Sequence, residues 1–138
     1  MIKFKINTPI ITRNKSGGIN GFVLPIFNAN EKFVTECPKQ IYLTTIMPYE
    51  VKGPHLHNKR DGLFTCIKGN IKIVTKIDNK YAELFSGQNA NYASVIVPRG
   101  VECTLINIGD EDAYVLNMPS EPYDPSDNFS PTWDNYFK

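Results

Sequence analysis

The chain has 138 residues, 41% of them hydrophobic and 12% aromatic, with a formal net charge of +1. That is enough apolar material for one packed core, and it excludes a disordered chain. The near-neutral charge excludes a nucleic-acid binder that works through bulk positive field, and no apolar run is long enough for a membrane-spanning helix.

The opening residues, MIKFKINTPIITRNK, lack the apolar stretch of a secretory signal. Residues 22–27 (FVLPIF) form an apolar segment suited to covering a neighbouring subunit. Residues 32–36 alternate apolar and polar, and residues 41–46 and 63–67 are rich in β-branched and aromatic side chains. Residues 70–77, 81–85, 94–97 and 103–108 read as half-buried strands, and 113–118 as a buried one. Turn-forming residues separate them at 68–70, 78–80, 86–89, 98–100 and 109–112. No segment sustains a helical period. Many short strands at this spacing predict an all-β sandwich or barrel. We expect a single domain over residues 1–138, with a barrel core from about 20 to 118 and an irregular tail from 119. Four prolines (Pro119, Pro122, Pro125, Pro131) keep the tail from forming a regular strand, while Phe129, Trp133, Tyr136 and Phe137 call for burial against the barrel or a partner. Cys37, Cys66 and Cys103 show no paired spacing, so a reduced, cytoplasmic setting is expected.

The segment Gly53-Pro54-His55-Leu56-His57-Asn58-Lys59-Arg60-Asp61 holds both histidines of the chain. In a strand, residues i and i+2 share a face. Two imidazoles on one face can bind a metal, move protons or hold a polar ligand.

Two short motifs resemble those of cupins, the small jelly-roll barrels. The first is His-x-His followed by an acid and a glycine, here His55, His57, Asp61 and Gly69. The second is Pro-x-Gly-x-x-His-x-x-x-Asn, here Pro98, Gly100 and Asn107, with Cys103 where the family has histidine. Within cupins the chain is most similar to the dTDP-4-keto-6-deoxyglucose 3,4-ketoisomerases. The stretch GPHLHNKRDGLFTCIKG, the preceding Tyr42 and the tail from Tyr123-Asp124 carry that likeness. The related dTDP-4-dehydrorhamnose 3,5-epimerases place their catalytic lysine near Gly62 and their catalytic tyrosine near Asn117, so their standard chemistry is not expected here.

The resemblance implies an all-β cupin jelly-roll, acting without a metal on a nucleotide-diphosphate 4-keto-6-deoxy sugar, in deoxysugar or surface-polysaccharide synthesis, and a homodimer. Such chemistry removes one proton beside a carbonyl and returns another through an enediol or enolate. His57 is the leading base, His55 a second acid/base or orienting group, and Tyr42 a phenol donor to the same cavity. Arg60, Lys59, Lys52 and Arg99 are candidate diphosphate ligands. Asp61 is a candidate substrate contact or a carboxylate that orients a histidine. Two alternatives remain open at this level. One is a metal cupin holding Zn, Fe, Mn or Ni through His55, His57, Asp61 and Cys103. The other is a non-catalytic sugar-binding cupin.

Overall fold

The structure is a computed structural model, and it describes residues 2–137. Its most regular hairpin joins the strands Asn70–Ile77 (β7) and Lys80–Gly87 (β8). Asp78 and Asn79, at φ 52° and 61°, form the two-residue turn between them. Positive φ at both turn positions matches the twist of an antiparallel pair, and Asp and Asn tolerate it. Ile77 and Lys80 close the ladder directly above the turn.

The remaining strands among the described residues are Phe4–Lys5 (β1), Ile10–Arg13 (β2), Ile19–Val23 (β3), Tyr42–Ile46 (β4), Val51–His55 (β5), Gly62–Lys68 (β6), Ser94–Val97 (β9), Glu102–Asn107 (β10) and Ala113–Asn117 (β11). They form a five-stranded sheet ordered β1-β9-β6-β11-β4 and a four-stranded sheet ordered β5-β10-β7-β8. Every pairing is antiparallel. Chain neighbours such as β6 and β7 fall in different sheets, which is the jelly-roll pattern expected from the sequence. The core between the sheets is filled by β-branched side chains, with Ile46, Ile71, Ile73, Val95 and Val115 at 1% exposure or less. Those residues alternate with outward-facing positions, so the period-two pattern directs one face of each strand inward.

Two sequence expectations are corrected here. Residues 32–36 form no strand. Phe33 instead lies beneath two ammonium groups, with Lys3 and Lys5 Nζ at 5.6 and 5.4 Å from its ring, and Lys3 donates to its carbonyl. With these contacts satisfied locally, the segment pairs with no strand. The apolar segment 22–27 is split: its start ends β3, which pairs only with β2 in a separate hairpin. Sheet residues also begin earlier than residue 20, because β1 joins the barrel edge through Phe4 and Lys5. No helix among the described residues is long and apolar enough to cross a membrane.

Candidate active site

β5 carries the first histidine to the rim of the barrel. Gly53 has φ 124°, and a Cβ there would lie 2.9 Å from the carbonyl oxygen of Cys103. Only glycine lets β5 approach β10 this closely. His55 is the last residue of β5 and sits opposite Cys103. The strand stops there, so the shared-face expectation is met by different means. Leu56 leaves the sheet and pairs with Phe129 of the tail through two backbone hydrogen bonds of 2.8 and 3.1 Å.

His57 is then fixed from two directions. Its carbonyl accepts from the Gly100 N–H at 2.7 Å, which ties it to the Pro98–Gly100 turn of the second motif. Its Nδ1 lies 2.6 Å from the carbonyl oxygen of Asp127. A carbonyl can only accept, so Nδ1 carries the proton and Nε2 presents its lone pair. The Asp127 carboxylate accepts from the backbone N–H groups of Asn58 and Lys59 at 2.7 and 2.9 Å. The tail therefore acts as a clamp on the His57 loop. The imidazole centroids of His55 and His57 stand 6.4 Å apart, with planes 23° apart.

Both rings line a cavity of about 560 Å³ at one end of the barrel. Tyr42 of β4 and Asn117 of β11 face each other across the sheet and point into it. The Tyr42 hydroxyl accepts from Asn117 Nδ2 at 2.7 Å and from Arg60 Nη2 at 3.1 Å. With both lone pairs engaged, its own proton is left to donate toward a ligand. Arg60 Nη2 also stands 3.4 Å from His57 Nε2. Acid, base and cation thus form one connected group. The apolar part of the wall comes from Phe64, Val97, Val101 and Leu105, and the tail contributes Tyr123 and Asn128.

Of the residues singled out from sequence, His55, His57, Tyr42, Arg60, Lys52 and Cys103 line this cavity, whereas Lys59, Arg99 and Asp61 do not. Lys59 extends outward, its ammonium 3.8 Å from Asp124. Arg99 binds Asp61 at 3.2 Å and Glu36 at 2.7 Å, both outside the cavity. Asp61 is occupied by that guanidinium and by the Arg99 N–H, and it orients neither histidine. The proposed four-residue metal set therefore does not converge. Among the described residues no three His, Cys, Asp or Glu side chains cluster as metal ligands. Burial pushes the Cys103 thiol up to about 12, so it stands in the wall as a neutral thiol. Sequence reasoning missed Asn117 as a partner of Tyr42, and Asp127. The sequence marks Asn117 only as the place of the epimerases' tyrosine and Asp127 only as part of the acidic tail, and both act through residues distant in the chain.

A family model described as "FdtA: WxcM-like, C-terminal" matches residues 9–136. The chain belongs to the FdtA family. Among solved structures, this FdtA-family chain is similar to a dTDP sugar isomerase from Desulfovibrio desulfuricans G20. The TM-score is 0.84 at 20% identity, covering 99% of this chain and 87% of that one. It is also similar to QdtA, a sugar 3,4-ketoisomerase from Thermoanaerobacterium thermosaccharolyticum, with a TM-score of 0.73 at 20% identity over 98% and 90% of the two chains. A dTDP-4-dehydrorhamnose 3,5-epimerase from Sulfolobus tokodaii matches with a TM-score of 0.75 at 17% identity over 96% and 83%. At such identities the likeness establishes the cupin jelly-roll fold of this FdtA-family member. A comparison with curated proteins finds no match.

Proposed function

We propose that this protein is a sugar-nucleotide isomerase that moves the carbonyl of a nucleotide-linked 4-keto-6-deoxy sugar from C4 to C3. The observation that carries the reading is the grouping of two imidazoles and a proton-donating phenol in one cavity with a largely apolar wall. Membership of the FdtA family and the likeness to a dTDP sugar isomerase support it. QdtA is described in complex with TDP, and a histidine-to-asparagine mutant of it in complex with TDP-4-keto-6-deoxyglucose.

In this reading His57 removes the C3 proton, leaving an enediolate with negative charge on O4. Returning a proton to C4, while the O3 proton departs and O4 is protonated, completes the transfer. Tyr42 and His55 are the candidate donors. Proton transfer of this kind needs no metal. Lys52, at the cavity wall and three residues before His55, is the cation this reading assigns to the diphosphate. Three free thiols agree with a cytoplasmic setting, where nucleotide sugars are made.

The test is proton NMR in D2O with a panel of nucleotide-linked 4-keto-6-deoxy sugars, run in chelator. Exchange at C3 with carbonyl migration is expected. Exchange with inversion at C3 or C5 would instead make the protein an epimerase, and no exchange with any sugar would sink the enzymatic reading.

Burial, then the positive charge of His57, Lys52 and Arg60, lowers the pKa of His55 from its ordinary 6.5. The ring therefore stays neutral in the folded protein at pH values where the unfolded chain already takes a proton. Its contribution to stability is complete above pH 6.5 and declines as pH falls below that value. The thermal midpoint of the wild type is therefore expected to fall more steeply below pH 6.5 than that of His55→Asn, and parallel curves would show that the ring titrates alike in the folded and unfolded chain.

We also propose a two-fold homodimer built on the β2–β3 hairpin. Ile10, Ile11, Ile19, Phe22 and Val23 are each more than half exposed there. Such an apolar hairpin standing off the barrel is an unusual surface for a monomer. Light scattering is expected to give twice the chain mass of 15.6 kDa, and a monomer refutes the proposal.

A further inference from the structure

Arg60 is the buried cation among the described residues. It is 7% exposed, and no carboxylate of the described residues lies within ion-pair distance of it. Its Nη1 is fully enclosed and has no hydrogen-bond partner. Its Nη2 reaches the Tyr42 hydroxyl and the edge of His57. The ring of Tyr123 lies 6.0 Å from its guanidinium carbon. A guanidinium enclosed without an anion is costly, because burial removes its hydration and here leaves Nη1 unpaired. The arrangement becomes favourable when an anion arrives.

We propose that Arg60 is a catalytic residue that holds the O4 oxyanion of the enediolate, rather than a ligand of the diphosphate. The inference rests on the isomerase reading above. Its basis is position: the fork that bonds the phenol and borders the base is confined to where the reacting carbons must sit. The diphosphate is attached at C1, across the sugar ring from C4. Lys52 lies on β5 about 10 Å along the strand from His55 and supplies a cation at that separation. Arg60 carries a fixed charge, so it stabilises the developing oxyanion without a proton of its own being transferred. Stabilisation arises only as the charge forms, which raises kcat rather than lowering KM.

The test compares the wild type with Arg60→Met, Arg60→Gln and Arg60→Lys by NMR turnover and by calorimetric titration with TDP. For Met and Gln, kcat should fall by roughly 10²–10³-fold, with the TDP affinity and KM within about threefold of wild type. Lys, which keeps the charge but not the fork, should recover part of kcat. Gln keeps a polar side chain of similar reach and provides the test if Met does not fold. Unchanged kcat in both neutral variants overturns the inference. So does a large loss of TDP affinity with kcat retained at saturation, because that pattern marks a diphosphate ligand. A wild type that exchanges no proton with any sugar overturns the isomerase reading, and this inference with it. An active wild type with fully active Arg60→Gln overturns this inference alone.

Discussion

Replacing His57 with asparagine is expected to lower kcat by roughly 10²–10⁴-fold, the usual contribution of a positioned general base. The fold should persist. Asparagine can still donate an N–H toward the Asp127 carbonyl, and the Gly100 contact is made by the backbone of residue 57 and does not need the ring. Circular dichroism and the thermal midpoint should match wild type while C3 exchange in D2O disappears. A variant that turns over at the wild-type rate would remove His57 from the base role. The tautomer argument makes the result specific: Nδ1 is spent on the Asp127 carbonyl, so Nε2 is the basic atom available to substrate.

The second large effect is expected from Asp127→Ala, a change in a residue that touches no reacting atom. Burial raises the Asp127 carboxyl pKa, but the N–H bonds from Asn58 and Lys59 and the nearby charges of His57 and Lys59 outweigh it. The net direction is downward. A lowered carboxylate stays ionised well into acid, so the clamp is intact across neutral pH and is lost only as pH falls through the folded value. Alanine leaves both loop N–H groups without acceptors and lets the His57 ring drift. Misplacement of a base by about an ångström costs on the order of 10²-fold. The expected outcome is a loss of that order in kcat, a smaller loss for Asp127→Asn, and barrel unfolding close to wild type. Hydrogen exchange at residues 58 and 59 should rise in parallel. Full activity in the alanine variant would show that the tail does not position the base.

The strands from β6 to β11 are legible because alternation and turn chemistry agree there. Residues 70–77 place Ile71 and Ile73 inward and Lys72 outward, and the Asp78-Asn79 pair ends the run where the ladder ends. β1 is hard to read because two residues are too short to show a period, and β5 because Gly53 and Pro54 interrupt it. Residues 32–36 show that alternation alone makes no strand when no sheet edge accepts it. The cavity was half visible. His55, His57 and Tyr42 followed from the motifs, and the cavity gathers all three. That Lys59, Arg99 and Asp61 stand outside the cavity was not legible, because spacing does not distinguish a basic residue facing the cavity from one held by acids outside it. Asn117 and Asp127 were beyond reach for a different reason. Their partners lie 75 and 70 residues away, and nothing local marks the pairing.

The clamp also separates two kinds of integrity in this molecule. The barrel is held by its two sheets and their shared core, whereas the tail is held by the Leu56–Phe129 bridge, the Asp127 contacts and Trp133 packed on Tyr81. Peeling back the tail exposes far less apolar surface than opening the barrel, so it is the cheaper excursion. A population of molecules can therefore be native by any global probe yet catalytically silent. Because Tyr123 and Asn128 belong both to the tail and to the cavity wall, an occupant of the cavity binds the closed form preferentially. Mass action then shifts the population toward it, so substrate helps to assemble the site that consumes it.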